Sequence, residues 1–255
     1  WDLSLPHPIK QDYSESGYYV MGEHFNTNKE VKAVIDAGPL GYQTIAAHGH
    51  ADALSFVLSY KGYEFIIDPG TYSYHTKQKW RDYFRGTSAH NTIRIDKLDQ
   101  SVSGGNFMWL NKANAICEHW SSTEHADVFI GCHDGYSRLE DPVIHKRSIT
   151  YNKNERLFTI SDRIECERNH LVEWYWHMSE DCEIETNGNV YIITNQGVSI
   201  SIVIDTPKAD KTIISAHESP PLGWVSRRYD VKVPTHTLYC RCEINGTYEF
   251  KTIIK

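Results

Sequence analysis

Short runs of alternating or continuous apolar residues recur along the chain from about residue 17 onward, with turn-forming residues between them. Residues 31–38 alternate between apolar and polar positions. Two further runs, residues 54–60 and 63–70, flank the dipeptide Lys61-Gly62. Two apolar runs joined by two such residues predict a β-hairpin. The pattern is therefore typical of consecutive short strands.

Helical periodicity is nearly absent, and the best helix candidate is short, around residues 77–84. Many strands without crossover helices predict an all-β fold, in which large antiparallel sheets pack face to face as a multi-sheet β-sandwich with few short helices. Residues 1–16 are polar and contain two prolines, so we expect a linker from an upstream region. Residues 17–255 are then expected to form the β-sandwich domain.

The net charge and composition disfavour some classes of partner. The net charge of -7 and the pI of about 6.0 disfavour nucleic acid or an anionic membrane surface as the main partner. An anionic substrate remains compatible, because residues 79–91 gather basic side chains locally. No apolar run approaches the length of a membrane span. The six cysteines form no CxxC pair and do not settle the redox compartment.

The segment Ala46–Phe56, AAHGHADALSF, concentrates the candidate chemistry. If it is extended, His48 and His50 project from the same face of a strand, because side chains two apart share a face. A zinc site needs three or four ligands, and the best additional candidates are Asp68 and His90, which lie at strand ends beside proline, glycine or small residues. Asp52 is expected to orient a histidine or to cap a turn.

Cupins also carry the pattern His-x-His on a β-strand and bind metals. They require a glutamate a few residues later, and residues 51–55 contain none. A cupin-like metal enzyme is therefore a minor alternative.

Two longer segments carry a more specific pattern. Residues 37–74, AGPLGYQTIAAHGHADALSFVLSYKGYEFIIDPGTYSY, and residues 80–96, WRDYFRGTSAHNTIRID, closely resemble the heparinase II/III-like polysaccharide lyases, which include heparinase-type and alginate or oligoalginate lyases. The resemblance implies an N-terminal α/α toroid followed by a C-terminal antiparallel β-sandwich. This chain resembles the C-terminal part, so its own N-terminal toroid is an expected partner.

The resemblance also implies a role for each matched position. His50, Asp68 and His90 would bind Zn²⁺, as a structural or site-organising ion. His48 would face the substrate and take part in catalysis. The implied substrate is an acidic polysaccharide or oligosaccharide, cleaved beside a uronic acid by β-elimination. A bacterial family of this kind implies a periplasmic or secreted protein.

Four further positions are implied to bind substrate. Tyr72 and Tyr74 would lie near the cleft, while Arg81 and Arg85 would either meet acidic sugar groups or brace the loop. The principal catalytic tyrosine of the family belongs to the helical domain, and no residue here matches it. We therefore expect little lyase activity from this chain alone. A non-catalytic carbohydrate-binding or structural module is the alternative from another class.

Three aromatic positions and one histidine leave two interpretations open. Trp174 and Trp176 share a strand face, which favours core packing. His177 either lines the sugar cleft or is a hydrogen-bonded sheet histidine. Trp224, in a segment rich in proline and glycine, either stacks on a sugar or packs structurally.

Overall fold

The computed structural model describes residues 10–42 and 44–255, so the first nine residues of the predicted linker lie outside the described part of the chain. One α-helix, α1 (Gln78–Arg85), and a 3₁₀ turn at Thr87–Ala89 are the helical elements of the described residues. No helix among them is long and apolar enough to cross a bilayer.

The remaining elements are strands, and several connections between them are long enough to carry a site. In chain order the first strands are β1 (Asp12–Tyr13), β2 (Tyr18–Glu23), β3 (Val31–Asp36), β4 (Phe56–Tyr60), β5 (Tyr63–Ile66), β6 (Ile93–Ile95), β7 (Val102–Ser103), β8 (Trp109–Asn111), β9 (Ala115–Ser122), β10 (Ala126–Tyr136), β11 (Val143–Asn152) and β12 (Leu157–Glu165). The later strands are β13 (Asn169–His177), β14 (Glu183–Asn187), β15 (Val190–Asn195), β16 (Val198–Ile204), β17 (Asp210–Ser215), β18 (His217–Glu218), β19 (Pro221–Leu222), β20 (Trp224–Arg228), β21 (Val231–Pro234), β22 (His236–Asn245) and β23 (Tyr248–Ile254).

Three antiparallel sheets contain most of these strands, and the pairs β7-β8, β18-β19 and β20-β21 each form a two-stranded sheet. A five-stranded sheet has the order β1-β2-β3-β4-β5, and a four-stranded sheet has the order β17-β22-β13-β6. The largest sheet has eight strands, in the order β14-β15-β16-β23-β12-β11-β10-β9. The predicted all-β, multi-sheet fold is confirmed.

One face of the eight-stranded sheet carries both smaller sheets. Residues along β11 alternate between buried and half-buried positions, which is the pattern of a sheet with one covered face. Phe158 of β12 contacts Phe56 of the five-stranded sheet, with ring centroids 5.6 Å apart. Phe250 of β23 contacts Trp174 of the four-stranded sheet at 4.8 Å. The two contacts join the sheets into one hydrophobic core.

The strand, the hairpin and the helix that the local sequence pattern predicts are present in the structure. Alternate residues of β3 are buried, and β4 and β5 form the predicted hairpin. Its turn places Lys61 and Gly62 at φ 53° and 84°, the left-handed region that a tight two-residue hairpin turn uses. The helix begins and ends within one residue of the predicted range. In the described end of the predicted linker, Asp12–Tyr13 pairs with β2.

The five-stranded and four-stranded sheets meet where the chain leaves β5. Ile66 bridges to Met178, and the Ile67 N–H donates to the carbonyl of His177 at the end of β13. The connection between β3 and β4, the segment after β5 and the segment before β6 all reach this junction. The six cysteines are all free and none lies in these three connections.

Candidate functional site

Three separate connections bring the predicted ligands together. His50 lies between β3 and β4, Asp68 follows β5, and His90 follows the 3₁₀ turn that precedes β6. One donor atom from each of the three side chains lies within 4.8 Å of the other two. Two imidazole nitrogens and a carboxylate oxygen are a donor set that Zn²⁺ accepts.

Hydrogen bonds fix the carboxylate of this group. His90 Nδ1 lies 2.8 Å from one oxygen of Asp68, and the Gly70 N–H donates to the other oxygen at 2.8 Å. Thr71 Oγ1 lies 3.2 Å from His50 Nε2. His90 is fully buried, whereas the Asp68 side chain is 45% exposed. The group is therefore open to solvent on the Asp68 side.

The electrostatics favour the protonation states that a divalent cation needs at His50 and Asp68, but not at His90. Burial, together with the charge of His90, lowers the pKa of His50 to about 3, so its imidazole is neutral at pH 7. Burial acts to raise the pKa of Asp68, but the His90 charge and hydrogen bond hold it well below its usual range. Within the described residues, His90 Nε2 is buried without a hydrogen-bond partner. Burial acts to lower the pKa of His90, but the Asp68 carboxylate raises it, so a bound cation would have to displace a proton from His90.

The His-x-His segment is a loop and not the extended strand considered from the sequence. His48 has a φ of +63°, and hydrogen bonds from Tyr42 N to Ala47 O and from Gly49 N to Ala46 O close the turn. A Cβ on Gly49 would lie 2.9 Å from the backbone nitrogen of Gly41, so this close approach needs glycine. His48 contacts Tyr74, whereas His50 lies beside His90. The strand context of a cupin motif is absent from this segment.

His48 is exposed and lies against an aromatic ring. Its imidazole meets Tyr74 edge-on, with ring centroids 5.2 Å apart and an interplanar angle of 89°. Tyr72, by contrast, is buried, stacks on Phe84 and accepts a hydrogen bond from Lys77 Nζ. Of the two predicted tyrosines, the structure places only Tyr74 beside His48.

The two predicted arginines are buried under the hairpin formed by β7 and β8. Arg81 donates through Nε and Nη2 to the Asn106 carbonyl, at 3.2 and 3.0 Å. Arg85 donates to the carbonyls of Gly105 and Met108. Of the two roles considered for these arginines, the bonds match bracing of the loop and not contact with acidic sugar groups, because both guanidinium groups hold the hairpin against the helix.

A cavity of about 530 Å³ opens beside the three ligands. His48, His50 and Asp68 line it, together with two residues that the motifs did not indicate, Tyr18 and Asp36. Asp52 also lines it, and burial raises the pKa of both Asp36 and Asp52. The cavity therefore carries less negative charge near neutral pH than its three aspartates suggest. Asp36 ends an alternating strand just before Gly-Pro, which is a weak signal in the sequence.

Buried hydrogen bonds tie the three connections to one another. The Asn91 side chain donates to the Ile67 carbonyl at 2.8 Å and accepts the His177 N–H at 2.7 Å. Arg147 Nη1 donates to the carbonyls of Leu54 and Asn91, at 2.6 and 2.7 Å. In each of the three connections, a hydrogen bond therefore fixes a backbone carbonyl that lies close in sequence to the candidate ligand. Nothing in the sequence pattern pointed to Arg147, since arginine usually lies at the surface.

For the histidine and the three tryptophans whose role the sequence left open, the structure supports a packing role. His177 is fully buried, and its Nδ1 lies 2.9 Å from Thr237 Oγ1, so it is a sheet histidine that does not line an exposed cleft. Trp174 and Trp176 are buried in the core. Trp224 packs edge-on against Trp80, and Lys232 Nζ lies 3.2 Å from its ring centroid.

Solved structures share this fold. The chain matches a heparan sulfate lyase, HepC, from Pedobacter heparinus, with a TM-score of 0.79 and 20% identity, covering 98% of this chain and 36% of that one. It matches a structure described as heparinase III with a TM-score of 0.77 and 17% identity, covering 97% of this chain and 37% of that one. At these identities the likeness establishes the fold. The chain spans about a third of the length of these structures.

The sequence itself matches a family. No curated protein matches the chain significantly. The sequence model of the family described as "Heparinase II/III-like, C-terminal" matches residues 6–252, nearly the whole chain. This chain therefore belongs to the heparinase II/III-like family, as a form of its C-terminal domain.

Proposed function

We propose that this chain is the zinc-binding, substrate-facing part of a polysaccharide lyase that cleaves uronic-acid-containing polysaccharide by β-elimination. One observation carries the proposal: an exposed histidine, His48, stands on the rim of a cavity beside the converged group of His50, Asp68 and His90. Structures of the same fold are described as a heparan sulfate lyase and heparinase III, which makes heparan sulfate the first substrate to test.

His50, Asp68 and His90 would hold the zinc ion. The donor set suits it, and the neutral His50 together with the ionised Asp68 supports ligation. Bound zinc would supply a positive charge beside the cavity and join three connections of the fold.

The reaction requires removal of the proton at C5 of the uronic acid, neutralisation of the neighbouring carboxylate, and protonation of the leaving oxygen. An imidazole can accept or donate a proton near neutral pH, and His48 is exposed at the cavity rim. We assign His48 to the substrate, where it stabilises the carboxylate or transfers a proton. Tyr74, edge-on to His48, holds the imidazole in place.

A uronate polysaccharide of this kind is met outside the cytoplasm, so we place the protein in the periplasm or outside the cell. The residues of this chain supply one wall of the cleft, and its own N-terminal toroid would supply the other. The 255-residue chain by itself is then expected to turn over little substrate.

Elemental analysis tests the metal centre. We expect about one zinc per chain in the wild type, loss of zinc in His50→Ala, and retention in His125→Ala, whose side chain is 71% exposed and lies in the turn between β9 and β10. Unchanged zinc content in His50→Ala would contradict the ligand assignment.

Incubation with heparan sulfate, alginate and hyaluronan tests the reaction, by following the ultraviolet absorbance of newly formed unsaturated uronates. The isolated chain should bind at least one of these polymers and produce little absorbance change. Robust turnover would refute the proposal that the active site is shared between this chain and the N-terminal toroid. Binding to none of the three polymers would refute the substrate class.

A further inference from the structure

Two exposed aromatic side chains reach Tyr74, the neighbour of His48, from separate hairpin tips. Phe107 lies at the tip between β7 and β8 and is 45% exposed, and Tyr229 lies at the tip between β20 and β21 and is 54% exposed. Both contact Tyr74. The ring centroids of Tyr74 and Phe107 lie 6.0 Å apart at 24°, and those of Tyr74 and Tyr229 lie 6.1 Å apart at 33°. We call Tyr74, Phe107 and Tyr229 the aromatic platform.

Buried and polar contacts hold the platform in place. Arg81, buried beneath it, lies 5.1 Å from the Tyr74 ring centroid and donates to the carbonyl of Asn106, the residue before Phe107. The Asp230 N–H donates to the Tyr72 carbonyl at 2.7 Å, which fixes the turn that carries Tyr229. The three rings therefore have fixed positions although they come from three distant parts of the chain.

Core packing does not account for the two tip residues. Phe107 and Tyr229 expose about half of their surface, and neither belongs to a hydrophobic core cluster. His48 closes one side of the group, with centroids 5.2 Å from Tyr74 and 6.3 Å from Phe107. Exposed rings gathered around Tyr74, which contacts His48, indicate a ligand surface.

A basic side chain lies at the edge of the platform, paired with an acidic one. Lys77 exposes 59% of its side chain, and its Nζ lies 4.0 Å from the carboxylate of Asp230, next to Tyr229. His75 Nδ1 lies 3.3 Å from the Tyr229 hydroxyl. A positive side chain beside aromatic faces suits a ring that has an apolar C–H face and an acidic substituent.

We propose that the aromatic platform is a sugar-binding subsite, on which a pyranose ring of an acidic oligosaccharide packs next to the unit that meets His48. The C–H face of the sugar removes apolar aromatic surface from water, and its carboxylate or sulfate lies toward Lys77. This inference rests on the proposed function and adds Phe107 and Tyr229 to the residues that bind substrate.

Calorimetric titration with size-fractionated hexasaccharides of heparan sulfate, alginate and hyaluronan tests the subsite. For the oligosaccharide that the wild type binds, we expect Phe107→Ala and Tyr229→Ala each to weaken affinity roughly tenfold, as truncation of an aromatic anchor does. Zinc content and thermal midpoint should not change. Phe107→Tyr and Tyr229→Phe, which keep the rings, should bind like the wild type.

Two exposed side chains serve as matched controls. Leu110 lies on the same hairpin as Phe107 and is 66% exposed, and Tyr63 is an exposed tyrosine at another hairpin. Leu110→Ala and Tyr63→Ala should leave affinity unchanged. If the wild type binds and both platform alanine variants bind within about twofold of it, the subsite is refuted while the proposed function stands. If the wild type binds none of the three hexasaccharides, both are refuted.

Discussion

The imidazole of His170 lies between two carboxylates at the far end of β13 from the candidate metal centre. Its Nδ1 is 2.6 Å from an oxygen of Asp96, and its Nε2 is 3.0 Å from an oxygen of Asp141. Asp141 also accepts the N–H groups of Glu167 and Arg168. Both ring nitrogens can donate only when the imidazole is protonated, so the arrangement is that of an imidazolium ion.

A pH-dependent contribution to stability follows from this residue. Burial acts to lower the pKa of His170, but the two carboxylates raise it above the ordinary value of about 6.5. A raised folded-state pKa stabilises the protein fully below the unfolded-state pKa, and the contribution is lost as pH rises through the folded-state pKa. We therefore expect the difference in unfolding free energy between wild type and His170→Gln to be largest below the ordinary pKa of about 6.5 and to shrink as the pH rises above it.

Denaturant titrations at several pH values provide the measurement. His125→Gln is the control, because His125 pairs with Glu124 at an exposed site, where an ion pair contributes little to stability. A difference for His170→Gln that does not vary with pH would show that the imidazole is not held as a cation.

At the scale of elements, a buried ion pair joins β11 to β12. Arg147 and Asp162 are directly opposite in the register, and two hydrogen bonds of 2.6 and 3.0 Å connect their side chains. His145 Nε2 lies 2.7 Å from the same carboxylate. The guanidinium also reaches the backbone of the loops that carry His50 and His90. The pair thus links the large sheet to the candidate metal centre.

Removal of one partner should be costly, because it leaves the other charge buried without compensation. We expect Arg147→Met to lower the free energy of unfolding by about 3–5 kcal/mol. Lys146→Met is the matched control, since Lys146 is the neighbouring residue on β11 and its ion pair with Glu118 is partly exposed. The control should change stability by less than about 1 kcal/mol. Similar losses in the two variants, measured by chemical denaturation, would contradict the role of Arg147.

The sequence predicts those elements that depend on adjacent residues. Alternation in β3 and the Lys61-Gly62 turn specify a strand and a hairpin within a few residues, because side-chain periodicity and turn conformation are properties of adjacent positions. The ligand set came from motif resemblance, and the structure brings those three side chains together.

The parts that could not be predicted depend on contacts between distant residues. The left-handed backbone at His48 follows from the approach of Gly49 to Gly41, which the alternating pattern does not encode. Arg147 finds its partners up to 93 positions away. Phe107 and Tyr229 meet only because two hairpins fold over Tyr74.

At the scale of the whole molecule, the proposed zinc would connect segments on both sides of the junction between two sheets. Metal that binds only the folded chain stabilises it, by about 2.7 kcal/mol when free zinc is 100 times its dissociation constant. We therefore expect a chelator to lower the thermal midpoint of the wild type and zinc to restore it. His50→Ala should respond to neither, whereas His125→Ala should behave like the wild type. A wild-type midpoint that is insensitive to both reagents would contradict a stabilising ion.

The eight-stranded sheet has its last strand in chain order near its middle. β23 lies between β16 and β12 and pairs with both. During synthesis on the ribosome, every other strand of the sheet emerges before the one that joins its two halves. Until then β12 and β16 present unpaired edges, which are sites for association with other chains. The domain therefore completes its largest sheet only after its final strand has left the ribosome, and a chain that stops before residue 248 would leave two open sheets in place of one.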